Sequence, residues 1–488
     1  MARLRRTPDE RPDGDFLDEA ADMGSGRLSG YKLYEDYYGG EHAVRLLDRA
    51  RLYLEASGVK FAENFCEPVI DVMAERLRVT GFTAEDKGEA QAGSEADDQQ
   101  ELASWLDNLW ETARVDLIQG DAHTTTILKG DAFVIPDWSE AKQRVCLYFN
   151  RPEIVKPVYS DDEPDELASA SKVWATKARG PANPDGKPII RLNVYWPDRI
   201  EKFFKLHRSE GKGGWQPWAG EEGNPESWRV PWVGSDGKPL GVPVVHFRHK
   251  ALGGTFGRSE LRSVLPQQDA LNKQVIDLHD ILDYMAWPQR YITGQVGDSV
   301  DLKPQPGTYL HITDAEAKIG QLEPADPRGV LDAIEQTISR IARRSRTPLH
   351  LLVGGDMPSG EALRTAEAGL VAKVRAAQTP LGCAWEDLMG MCVRIAATNG
   401  DPVAGKYAPR LREIVLRAQW QDPLSRNEKE EAEAATLKRD LGVSKATILR
   451  ELGYDPEQEA EQRASEGDES AAAMGEALDV GRAPFDGG

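Results

Sequence analysis

The chain has 488 residues, 40% of them hydrophobic and 29% charged, with a formal net charge of −21. That length supports two or three domains around a large buried core. The acidic balance argues against sequestering nucleic acid on a broad basic surface, and no apolar run is long enough to cross a membrane. It fits either a plain soluble acidic surface or acidic walls that let DNA pass without sticking. The four cysteines, Cys66, Cys146, Cys383 and Cys392, show no paired spacing and no partner histidines, so neither a disulfide framework nor a zinc site is expected. The opening MARLRRTPDERPDGD lacks an apolar core after its basic start, so it does not read as a secretory signal, and a cytoplasmic product is expected.

Residues 1–30 read as a flexible polar arm, with order beginning near Tyr31. Helices are predicted over Glu41 to Ala56 and Asn64 to Val79, the second carrying Val69, Val72, Met73 and Leu77 at helical spacing. Residues 84–100 read as an exposed acidic loop, and Leu102 to Leu128 as helix again. After Lys129-Gly130-Asp131 the texture turns to strands, in AFVIPDW, VCLYFN, IVKPVY and then 189–196, 200–206 and 242–248. The run DDEPDE at 161–166 reads as a solvated loop rather than a metal cluster. Trp215, Trp218, Trp228 and Trp232 could stack on bases, but few Arg and Lys neighbour them, which favours packing within a hairpin-rich region.

The strongest periodic signal lies between Gly253 and Arg290. Val264, Leu271, Leu278 and Met285 recur every seven residues, with Leu261, Val275 and Leu282 at the offset positions and Gln268 as the polar break. Such a helix, opened or kinked by Pro266, would run about 40 Å at 1.5 Å per residue. A small β-rich insert follows, then a second helix with Asp326 as cap, Pro327 as first residue and a stripe of Val330, Leu331, Ile334, Ile338 and Ile341. Residues 347–359, TPLHLLVGGDMPS, read as a loop, and Ser359 as cap of a long helix kinked at Pro380. A strand in LREIVLRAQW precedes two short helices broken at Gly442 and an acidic, disordered tail.

The common enzyme signatures are missing. There is no GxxxxGK[ST] loop, no HExxH and no GxSxG elbow, and GSGRLSG at 24–30 has the wrong spacing for phosphate binding. His246 and His249 fall in a strand and a turn, so they would not share a face. Asp137 and Glu140 in PDWSEAK sit in a hairpin turn, too close together to hold magnesium from two strands. No catalytic residue, metal or cofactor is expected.

Four stretches carry a resemblance: NFCEPVIDVMAERLRVTGF at 64–82; GRSELRSVLPQQDALNK at 257–273 with WPQRYITG at 287–294; MPSGEALRTAEAGLVAKV at 357–374; and QWQDPLSRNEKEEAEAATLKRDLG from 419. In this order they resemble the portal (head–tail connector) family of siphovirus-type tailed bacteriophages, over most of residues 31–455. The resemblance implies an α+β subunit: a helical and β-rich wing (31–255), stem helices (256–287 and 326–346), a clip (288–325), a tunnel loop (347–359), a long kinked helix and wing return (360–424), a crown (425–455) and a disordered acidic tail (456–488). It implies a ring, usually a homododecamer, at one capsid vertex of the virion, assembled in the host cytoplasm. The ring would pass double-stranded DNA without sequence specificity and meet the terminase large subunit, head–tail adaptors, the major capsid protein and scaffolding protein. The DNA-facing segment would comprise Thr347, Pro348, Leu349, His350, Leu351, Leu352, Gly354, Gly355 and Asp356. Arg340, Arg343, Arg344 and Arg346 would either touch phosphates or form a solvated helix end whose charge suits the dipole. A packaging nuclease and another phage structural protein are the alternatives.

Overall fold

The computed structural model describes residues 13–41, 63–86, 95–177, 183, 185–206, 214–218, 228–286, 290–293, 318–321, 326–354, 360–424, 428–451 and 459. Regular structure is already present from Asp13, well before Tyr31, and residues 1–12 lie outside the described residues. Helix α1 (Gly14–Ala21) starts where the Asp13 carboxylate accepts from the Phe16 N–H at 2.8 Å. It buries Leu17, with Phe16, Ala20 and Ala21 beside it, on a β-sheet much later in the chain. A short helix whose apolar stripe matches a distant sheet looks polar on average, which is why an arm was expected. Helix α2 (Ser25–Tyr38) continues inward, and its Tyr31, Tyr37 and Tyr38 hydroxyls donate to Asp131, Asp269 and Asp71. The helix expected from Glu41 to Ala56 lies outside the described residues, apart from Glu41 itself.

Helix α3 (Cys66–Ala74) buries Val69, Ile70 and Met73 but stops well before Val79, where β1 (Val79–Asp86) begins. Of the loop expected at 84–100, 84–86 belong to β1 and 95–100 to α4 (Glu95–Thr112), while 87–94 lie outside the described residues. Strand β1 pairs with a strand near residue 417, a partner that no local pattern reveals. Arg114, at φ 54°, separates α4 from α5 (Val115–Lys129), so the expected single helix is two. Helix α5 ends at Gly130, φ 95°, where the chain passes Gly257 closely. A Cβ on Gly257 would sit 2.0 Å from the Gly130 carbonyl oxygen, so both positions require glycine.

Strands β2 (Asp131–Ser139) and β3 (Arg144–Asn150) form a hairpin. Strands β4 (Val155–Tyr159), β5 (Leu167–Thr176), β6 (Ile189–Tyr195), β7 (Arg199–Leu206) and β8 (Gln216–Pro217) make an antiparallel sheet in chain order, with β9 (Arg229–Pro231) also on β7. Strand β5 went unread in the sequence because it carries Ser, Ala and Lys between its apolar residues. The DDEPDE run is the exposed loop from β4 to β5. Leu192, Val194 and Phe203 face α1, Trp215 and Trp228, and Phe204 meets Trp218 on the other face. Trp232 joins the main core, so the tryptophans pack against sheet and core as expected. Strand β10 (Val245–Arg248) completes the order β10-β2-β3.

A 3-10 turn at Glu260–Ser263 leads into α6 (Leu265–Ala286), with Pro266 in its first turn. Val264 and Leu271 are fully buried. Gln268, the polar break, is also fully buried: its side chain accepts from the Phe65 N–H at 3.0 Å and donates to the Glu63 carbonyl. Strands β11 (Arg290–Thr293) and β12 (Lys318–Gln321) pair antiparallel; GTYLHI, between them, lies outside the described residues. Helix α7 (Arg328–Ser345) packs along α6. Asp326 accepts from the Arg328 N–H at 3.0 Å, and Pro327 is the cap rather than the first helical residue.

Residues 349–353 form a helical turn, α8 (Leu349–Val353), inside the segment read as loop: Pro348 fixes an extended entry and Gly354, φ 71°, ends it. Helix α9 (Gly360–Thr398) runs unbroken through Pro380 and supplies the centre of the core, Trp385, Leu388, Met389 and Cys392. A short helix unread in the sequence, α10 (Pro402–Tyr407), precedes β13 (Ile414–Trp420), the partner of β1. Helices α11 (Glu428–Asp440) and α12 (Lys445–Glu451) flank Gly442, φ 89°. The tail at 456–488 lies outside the described residues, Glu459 excepted.

Candidate functional site

The end of α7 is where sequence signals and chemistry converge. Helix α7 closes with Arg346 in the left-handed region, φ 53°, and the Thr347 N–H returns to the Ala342 carbonyl at 3.0 Å. Helix α8 then brings the chain back over the core, where Leu351 and Leu352 pack half-buried while Leu349 and Val353 remain 47% and 57% exposed.

Beneath this turn lies a buried charged cluster. The Lys373 ammonium, from α9, donates to the Ser345 carbonyl at 2.6 Å and lies 3.4 Å from Glu260. Glu260 also accepts from His249 Nε2 at 3.0 Å and from Lys250. One cation thus ties the chain just before α6, the last turn of α7 and α9 together. Burial disfavours the charged form of Glu260, but the His249 hydrogen bond and the two lysines outweigh it and hold the carboxyl well below its usual range. Burial pushes the Lys373 amine and the His249 imidazole down, partly offset by Glu260. His249 is therefore neutral near pH 7, with Nε2 carrying the proton it donates. A second contact follows along α9: buried Glu367 lies 3.5 Å from the Arg76 guanidinium and 3.7 Å from the His350 ring.

The other histidine answers to a different carboxylate. Asp131 accepts from Tyr31 Oη at 2.7 Å, from His246 Nε2 at 2.9 Å and from the Gly257 N–H at 2.7 Å, and Tyr159 Oη meets His246 Nδ1 at 2.9 Å. His246 and His249 thus serve separate structural networks, and among the described residues no group of His, Cys, Asp and Glu is arranged to hold a metal ion. Glu140 lies in the turn that closes the β2–β3 hairpin, as read from sequence, but Asp137 stands within β2, opposite Cys146 of β3.

Above the cluster opens a cleft of about 1790 Å³, whose walls include Lys156, Tyr159, Arg248, Leu252, Arg344 and Arg346. The four arginines singled out from sequence divide here. All are exposed, but Arg344 and Arg346 line this cleft, and Arg340 and Arg343 do not. Thr347 and Pro348 are buried, so neither presents a surface to a ligand; His350 is half-buried; Gly354 is exposed; Gly355 and Asp356 lie outside the described residues. Glu260 and Lys373 were not selected from sequence, and His249 figures there only beside His246. The one signal was Lys373 sitting inside the apolar stripe Leu370, Val371, Val374 and Ala377.

Among the described residues no helix is long and apolar enough to cross a membrane. A family model described as "Phage portal protein, SPP1 Gp6-like" matches residues 24–473. The portal protein of Mycobacterium phage D29 is 26% identical over 427 residues, covering 83% of this chain and 78% of that protein. The portal protein of Mycobacterium phage L5 is 26% identical over 431 residues, with the same coverages.

Proposed function

Because the chain belongs to the SPP1 Gp6-like phage portal family, a structural family of the virion capsid, we propose that twelve copies form the DNA channel of one capsid vertex. The observation that supports this most is the pair α6–α7. Their apolar stripes are buried at the base, at Val264, Leu271 and Ile341, yet Leu282, Met285 and Leu331 at the far end are 44%, 41% and 44% exposed. Two helices with such a stripe complete their burial against copies of themselves around a closed ring.

In this reading α6 and α7 are the stem, and the segment around β11 and β12 is the clip that meets the terminase large subunit during packaging and adaptor proteins afterwards. The elements before α6, with α9 and β13, form the wing facing the major capsid protein and scaffold, and α11–α12 the crown. Residues 347–359 approach double-stranded DNA. Among its described residues Leu349, Val353 and Gly354 are exposed, with Arg344 and Arg346 as phosphate contacts. No base is read, because packaging must accept any sequence. The subunit assembles in the host cytoplasm and carries out no catalysis.

Mass photometry with negative-stain imaging of the full chain tests this. Rings of about a dozen subunits with a central hole are expected. A compact monomer or dimer that cuts DNA with magnesium would overturn the reading in favour of a nuclease.

A further inference from the structure

One face of the β4–β8 sheet carries a row of cations that the channel reading does not use. In register across three strands stand Lys172, Asn193 and Lys202, and beside them Trp174, Arg191 and Phe204. Residues directly opposite or two apart share a face, so Lys172, Arg191 and Lys202 converge on one side. The opposite face is covered by α1, Trp215 and Trp228.

The row is built on aromatic rings. The Arg191 guanidinium lies between Trp218 and Trp174, 4.1 and 5.2 Å from the ring centroids, and Lys172 Nζ lies 5.1 Å from Trp174. Lys172, Trp174, Arg191 and Lys202 are all half-buried, and Leu206 at the end of the face is 50% exposed. The lysines have already lost part of their hydration. Burial is the cause that pushes Lys172 down, and burial outweighs Asp137 at Lys202. Cations desolvated before binding make stronger contacts with a carboxylate than solvated ones.

We propose that this face is a docking surface for an acidic protein segment with apolar anchors: carboxylates on Lys172 and Lys202, and apolar side chains on Trp174 and Leu206. A nucleic acid fits less well. Three cations on a chain of net charge −21 fall short of the roughly six to ten phosphate contacts that give a polyanion useful affinity. They match the few carboxylates of one short peptide.

The probe is a fluorescein-labelled peptide of Glu, Asp, Phe and Leu, titrated by anisotropy against the full chain, with a labelled DNA duplex in parallel. Lys172→Glu with Lys202→Glu is expected to weaken peptide binding at least about tenfold, with assembly by mass photometry unchanged. Lys142→Glu, an exposed position elsewhere, should change binding by less than about twofold. If the charge reversals prevent folding, Lys172→Gln with Lys202→Gln removes the charges without introducing opposite ones and is read instead. No binding by the wild-type chain, unchanged binding by the double variant, or tighter binding of the duplex than of the peptide would overturn the proposal. So would loss of the wild-type assembly in a folded variant, because a second copy would then be the occupant.

Discussion

At the scale of single residues, the physics is concentrated in buried groups that have one arrangement available to them. Glu260 is opposed by Lys373, Lys250 and neutral His249. Replacing it by Gln leaves Lys373 buried without its counter-charge, which costs about 3–5 kcal/mol by analogy with other broken buried pairs. Adding Lys373→Met to Glu260→Gln should recover part of that loss, and a double-mutant cycle by thermal unfolding would measure it. The pH dependence has a definite sign. The folded carboxyl titrates below its ordinary value of 4.5, so its contribution is complete above that value and is lost as pH falls beneath it. Glu260→Gln should therefore flatten the decline in Tm below pH 4.5. His123 acts in a higher window. It is buried, its Nδ1–H donates to the Leu77 carbonyl at 2.8 Å, and its Nε2 accepts from Trp385 Nε1 at 2.8 Å, which fixes the neutral tautomer. Burial pushes it from 6.5 to about 4, the Leu77 contact opposing only in part. The unfolded chain thus takes up a proton that the folded chain refuses, and about 3 kcal/mol of stability is lost between those two values as pH falls. In His123→Gln, thermal unfolding between pH 7 and 4 should lose most of that slope; an unchanged slope would mean the imidazole is not the group responsible.

At the scale of elements, glycine separates close approach from mere flexibility. Gly257→Ala would drive a methyl group into the Gly130 carbonyl, a backbone atom that cannot yield, so the junction between α5, β10 and the start of α6 should be disrupted. Gly120, exposed within α5, has nothing within 4 Å of an added Cβ, and Gly120→Ala should stabilise by about 0.5–1 kcal/mol. Circular dichroism melts of the two variants should move in opposite directions. The same contrast explains what was legible in the sequence. The heptad of α6 could be read because Val264, Leu271 and Leu278 lie close together in the chain, as could the stripe of α7 and the hairpin of β2 and β3. Strand β1, helix α1 and strand β5 could not: each is completed by residues far away, β1 by β13 and α1 by Leu192 and Phe203. The loop expected at 347–359 contains α8 because Leu351 and Leu352 bury against the core, a tertiary cause for a local helix. Glu260 and Lys373, more than a hundred residues apart, had no sequence spacing to reveal them.

At the scale of the whole molecule, the burial gradient along α6 and α7 points beyond the single chain. From the 3-10 turn into α6 the stripe passes from fully buried Leu261, Val264 and Leu271 through half-buried Val275 and Leu278 to exposed Leu282 and Met285. On α7 it passes in the reverse chain direction, from buried Ile341 through half-buried Ile338 and Ile334 to exposed Leu331. Because the helices are antiparallel, both gradients run the same way in space, from a base anchored by the core to an apolar tip. Burying each such side chain is worth about 1.5–3 kcal/mol, and a ring repeats that gain at every interface. The stripe should therefore matter to assembly more than to the fold of one subunit. Leu282→Glu with Leu331→Glu is expected to change the unfolding of the isolated subunit by about 0.5 kcal/mol or less, as for exposed positions generally, while shifting mass-photometry populations from rings to free subunits. Equal losses of stability and assembly would instead mean that the tips are buried within each chain, and the lateral packing of α6 and α7 would have to be abandoned.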